Sequence, residues 1–107
     1  MTLAELVTAL KTTGLPVAYR EFVSTPENPA PAPPFITYHF TFDADMKADN
    51  INYVGISNID VELYTDEKDL TTEKLVEAVL KSYSKAEAWI DSEKMIQVIY
   101  TIQILGG

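Results

Sequence analysis

The chain has 107 residues, 47% of them apolar, with 16 acidic residues against 8 basic ones and a formal net charge of −8. That length builds one domain around one core, spanning 1–107, and the apolar content excludes global disorder. The acidity disfavours wrapping nucleic acid, which needs clustered Lys or Arg, and the lack of cysteine excludes disulfide scaffolds, Cys-ligated zinc and thiol catalysis.

No run of about 18 apolar residues is present, so no membrane span is expected. Met1–Glu5 lacks the basic and apolar pattern of a signal peptide, which points to the cytoplasm or to an assembly built there.

Thr2-Leu-Ala-Glu5 has capping-box spacing, and Leu3, Leu6, Val7 and Leu10 trace one helical stripe that Gly14 and Pro16 end. Val17 to Phe22 reads as a short strand. Next comes Ser24–Pro34, with five prolines at Pro26, Pro29, Pro31, Pro33 and Pro34. Such a segment neither joins a ladder nor forms a helix, so it is expected as an extended arm or loop. Its composition offers almost no side chain to anchor it, which predicts poor order in an isolated chain.

Phe35 to Phe42 is a stronger strand, with Ile36, Tyr38, Phe40 and Phe42 on one face and Phe35, Thr37, His39 and Thr41 on the other. Asp43 to Asn50 reads as a loop or wide hairpin tip. A long strand follows from about Tyr53 to Tyr64, with Ile59, Val61 and Leu63 inward and Gly55 marking a bend or bulge. Thr71 or Thr72 can cap a helix in which Leu75, Val76, Val79, Leu80 and Tyr83 form the buried stripe. Glu77 and Lys81 are spaced as an i,i+4 pair on its opposite side. Ala86–Ile90 and Met95–Leu105 read as a terminal hairpin turning at Asp91–Lys94, with Trp89 facing Ile96. The expected fold is therefore α+β in the order α-β-β-β-α-β-β. Its sheet is twisted and mostly antiparallel, with both helices packed on one face.

The residues offer little chemistry. His39 is the only histidine, and catalysis would need a nucleophile or orienting carboxylate beside it. Asp43, Asp45 and Asp49 begin like a calcium loop but lack its glycine and late glutamate, so no metal site is expected. Asp60 and Glu62 share a strand face, where outward alternation explains them more simply than paired-acid catalysis. No catalytic, cofactor-binding or metal-ligating residue is assigned. Arg20, the sole arginine, stands before the arm, and Tyr19, Tyr64 and Trp89 are aromatic; with the arm prolines these are the interface candidates. An acidic surface keeps a protein soluble, or lets DNA slide through a channel without sticking.

Leu15-Pro-Val-Ala-Tyr-Arg-Glu-Phe22, the proline stretch into Pro34-Phe-Ile-Thr-Tyr38, Ala48-Asp-Asn50, Ile59–Thr65 and Trp89–Met95 resemble small proteins of phages. Specifically, they resemble the head–tail joining and tail proteins of siphophages and prophages of Gram-positive bacteria. Within that module the chain resembles a tail terminator first and a neighbouring head–tail connector component second. The resemblance implies a virion protein at the head–tail junction, assembling with itself as a hexameric ring. Such a ring binds tail tube protein below and a head-side connector above, with DNA passing through unbound. It implies no catalytic residue. Asp43, Asp45, Asp49, Asp60 and Glu62 are the candidates to line the passage. A monomeric adaptor that binds a host protein fits the same composition, and a small acidic enzyme would need His39 or the three aspartates to converge.

Overall fold

The computed structural model describes residues 2–41 and 56–105. Helix α1 (Leu3–Lys11) opens with the expected reciprocal cap: Glu5 N–H donates to Thr2 Oγ1 at 3.2 Å, and Thr2 N–H donates to Glu5 Oε1 at 2.8 Å. Gly14 at φ 82° turns the chain out of the helix. Strand β1 (Val17–Tyr19) pairs parallel with β2 (Phe35–Phe40), which is antiparallel to β3 (Ile56–Thr65). Helix α2 (Leu70–Val79) then leads to the hairpin of β4 (Ser84–Ile90) and β5 (Met95–Leu105). The five-stranded mixed sheet runs β1-β2-β3-β5-β4, so β5 inserts beside β3 and leaves β4 on the edge.

Both helices cover the same face. Leu6 and Leu10 of α1 and Val76 of α2 meet Ile36, Ile59, Val61, Leu63, Val98, Tyr100, Ile102 and Ile104, all buried. The register explains this, because Ile36↔Leu63, Leu63↔Val98, Val61↔Tyr100 and Ile59↔Ile102 place these residues opposite one another on one side. Each such fully buried aliphatic side chain contributes roughly 1.5–3 kcal/mol.

Several boundaries differ from those read in the sequence. Strand β1 stops at Tyr19 instead of Phe22, because Arg20 adopts φ 67° and its N–H closes onto Tyr38 O at 2.8 Å. Helix α2 is capped by Asp69, not by Thr71 or Thr72. Asp69 Oδ1 accepts from Thr72 N–H at 3.0 Å, while its Oδ2 accepts from Thr72 Oγ1 at 2.7 Å. Leu75 is 47% exposed and the helix ends at Val79, so the inward stripe is Thr72, Glu73 and Val76, with Leu80 just past the end. Lys81 lies outside the helix and its expected pairing with Glu77 is replaced by Lys85 Nζ, 2.7 Å from Glu77 Oε2. The hairpin has the expected Trp89↔Ile96 register, and β4 begins two residues earlier, at Ser84. Phe42, the loop from Asp43 to Asn50, and Tyr53 to Gly55 lie outside the described residues.

Candidate interface: the open sheet face, the proline arm and the β4 edge

Among the described residues, no helix lies on the second face of the sheet. Alternation along β2, β3 and β5 brings Thr37, His39, Asp60, Glu62, Tyr64, Gln97 and Thr101 together there. Glu62 is the hub. Its Oε1 accepts from Thr37 Oγ1 at 3.1 Å and from Tyr64 OH at 3.4 Å, and its Oε2 accepts from Gln97 Nε2 at 2.8 Å. Gln97 Nε2 also donates to Tyr64 OH at 3.1 Å, and Thr101 Oγ1 donates to Asp60 Oδ1 at 2.7 Å. His39 stands between the two carboxylates, Nδ1 3.6 Å from Glu62 Oε1 and Nε2 3.8 Å from Asp60 Oδ2. Burial, seconded by the Glu62 charge, pushes the Tyr64 phenol above its ordinary value.

This arrangement changes the meaning of two candidates. Asp60 and Glu62 were expected as free outward charges lining a passage. In the structure they are only 21% and 13% exposed, and neighbours on adjacent strands occupy their oxygens. Asp43, Asp45 and Asp49 lie outside the described residues. Among the described residues, no group of three or more His, Asp or Glu is arranged to hold a metal ion.

The proline arm leaves the sheet on the same open face. Phe22 meets Phe35 edge-on at 5.4 Å between ring centroids, and Phe35 stacks on Tyr64 at 5.0 Å and 26°. Beyond that aromatic row the arm bonds to itself: Asn28 N–H donates to Thr25 O at 3.1 Å, and Ala30 N–H donates to Ser24 Oγ at 3.2 Å. Pro26 and Pro29 are exposed, whereas Pro31, Pro33 and Pro34 are half-buried, and the Pro33–Pro34 peptide is cis. Arg20 makes no ion pair among the described residues. Its guanidinium lies 5.7 Å over the ring of Tyr19, which packs edge-on against Tyr38.

On the far side of the sheet, β4 forms a long exposed edge, and Trp89 is 54% accessible with Nε1 3.4 Å from Asp91 Oδ1. Behind this edge lies a cluster that the sequence analysis missed. Glu73 is buried on α2, its carboxylate 2.8 Å from Lys68 Nζ and 2.9 Å from Lys85 Nζ. Burial is the largest influence and opposes its ionisation, but the two lysines together outweigh it and hold the carboxyl below its ordinary value. Tyr100 OH donates to Glu77 Oε2 at 2.8 Å, and burial raises the Tyr100 phenol well above its ordinary value. A signal existed: Glu73 is spaced three and seven residues before Val76 and Leu80, on the inward stripe.

No protein-family model and no curated protein matches this chain. Among the described residues, no helix is long and apolar enough to cross a membrane.

Proposed function

We propose that the chain is a ring-forming structural component of a phage tail, closing the tail tube and joining it to the head-side connector. The observation that carries this reading is the unlikeness of the two lateral edges. One edge ends in three residues of β1 beside Arg20 and the proline arm; the other is the long, exposed strand β4. A ring is built from heterologous contacts, in which two different surfaces of one chain meet repeatedly until the rotation closes. The two edges supply such surfaces, and proline lowers the entropy lost when the arm is ordered against a neighbour. The resemblance carried by Leu15–Phe22, Ile59–Thr65 and Trp89–Met95 supplies the station and the hexameric count.

Glu62 and its neighbours then have a structural duty: their hydrogen bonds tie β2, β3 and β5 together across the open face. Mixing the chain with tail tube protein and measuring mass by light scattering tests the proposal. A ring-sized species that appears only with tube protein is expected. A chain that never binds tube protein and never exceeds a small oligomer would overturn it.

A further inference from the structure

An edge strand displays unpaired N–H and C=O groups, and proteins ordinarily guard such edges with outward charge, proline, bulges or a cover. Strand β4 is weakly guarded. It contains no proline, and both of its charges are drawn onto α2 and the turn before it. Lys85 reaches Glu73 and Glu77, and Glu87 is paired with Lys68. The opposite side of β4 presents only Ser84, Ala86, Ala88 and Ile90, which are small or uncharged.

We propose that β4 pairs antiparallel with β4 of a second copy about a twofold axis at Ala86, joining two sheets edge to edge. This is the one register that opposes the two charges of β4 to each other, and charge disfavours both registers next to it. Opposed residues in an antiparallel pair point to the same side, so a twofold pairing must centre on a single residue of the strand. Centred on Lys85 it opposes that lysine to itself, and centred on Glu87 it opposes that glutamate to itself; both are unfavourable. Centred on Ala86 it opposes Lys85 to Glu87 of the second copy, twice by symmetry. Continued one residue past the start of the strand, the same register carries Tyr83 opposite Trp89. On the other side Ala86 meets Ala86, and Ser84 meets Ala88. No like charges oppose one another.

The exposed groups agree with that register. Tyr83 is 38% and Trp89 54% accessible, and each gains an aromatic partner. The segment from Leu80 to Ser84, with Asn58, Thr101 and Gln103, lines an open cleft of about 570 Å³ at the start of β4. The intramolecular pairs Lys68–Glu87 and Lys85–Glu77 become one row of alternating charge through the junction. A twofold contact closes after two chains, so the pair does not rest on the ring reading. It hides the β4 edge in the free chain, and any assembly through that edge must first displace it.

The test uses the full chain without any partner. Sedimentation from micromolar to millimolar concentration should show a mass rising to twice that of one chain. Trp89 is the sole tryptophan, so its emission should move to shorter wavelength over the same range. Because the chain has no cysteine, Ala86→Cys should form a disulfide-linked dimer under mild oxidation, whereas Ala88→Cys, facing Ser84, should not. Glu87→Lys should weaken the pair about tenfold, and mixing it with Lys85→Glu should give a heterodimer; circular dichroism confirms that each variant is folded. A single-chain mass at every concentration would overturn the proposal. Crosslinking of Ala88→Cys as fast as Ala86→Cys would overturn it equally.

Discussion

Lys85 Nζ lies 2.9 Å from Glu73 Oε1, so a charge from the edge strand reaches a carboxylate buried beneath the helix. Glu73 is only 2% exposed in its side chain, yet both of its lysine partners keep more than a third of theirs in solvent. The two ammonium groups therefore remain hydrated while they neutralise a dry carboxylate. Glu73→Gln removes the charge but keeps the shape. It should lower unfolding stability by roughly 1–3 kcal/mol, read as a shift of the urea midpoint with an unchanged slope. An unshifted midpoint would show that the cluster contributes nothing net.

The same cluster fixes the pH dependence. Glu73 and Glu77, ordinarily titrating near 4.5, are both held lower in the folded chain, Glu77 chiefly by the Lys85 hydrogen bond. Depressed carboxyls contribute stability that is present above 4.5 and lost as pH falls through their folded values. Tyr64 and Tyr100, ordinarily near 10.0, and Lys68 and Lys85, ordinarily near 10.5, are all raised. Their contribution is present below about pH 10 and declines above it. Thermal unfolding should therefore show a plateau falling off at both ends. Glu73→Gln should flatten the acid limb and also weaken the alkaline one, because the Glu73 carboxylate is a partner that raises Lys68 and Lys85.

At its start the arm is packed against the sheet by Phe22. Phe22→Ala removes the ring that abuts Phe35 and should expose residues 23–33 to protease, with cleavage mapped by mass spectrometry. The loss of stability should stay near 1 kcal/mol, since Phe22 is only half-buried. Equal cleavage rates in both proteins would show that the row of rings does not restrain the arm.

Deleting Glu27 to Ala32 should leave unfolding nearly unchanged, because those residues are mostly exposed and bond only within the arm. The same deletion should block tail completion in a phage carrying the gene, scored as free heads and overlong or unjoined tails by electron microscopy. Normal particles would remove the arm from the proposed ring.

Much of the fold is legible because two periodicities run clearly through the chain. Leu6 and Leu10 follow the helical repeat, and Ile59, Val61 and Leu63 follow the strand repeat; all five are buried as read. The hairpin register is legible for a related reason, since Asp91 and Lys94 bracket the turn and fix Trp89 opposite Ile96. Leu75 and Glu73 exchange the roles their chemistry suggests. Hydrophobicity alone puts leucine inside, but Lys68 and Lys85 arrive from the flanking turn and β4, and a charge balanced by residues distant in sequence cannot be read locally. The polar hub on the open face is hidden likewise: Glu62, Gln97 and Thr37 meet only once β5 has inserted beside β3. The parallel pairing of β1 with β2 is also invisible locally, since nothing in Val17–Tyr19 states its direction.

That parallel pairing makes the proline segment a return path. Two parallel neighbours cannot be joined by a tight turn, so residues 20–34 must carry the chain back from the end of β1 to the start of β2. The nine residues left after deleting Glu27 to Ala32 still reach about 30 Å, but a connection of only a few would tear β1 from the sheet. Both ends of the arm are therefore moored to adjacent strands, one of them by three residue pairs only. Tension applied at the arm's tip has no slack end to run to and passes into that short ladder. If a neighbouring molecule grips the prolines, β1 is the mechanical fuse of the domain: the first element to yield under load, while β2, β3, β5 and β4 stay joined.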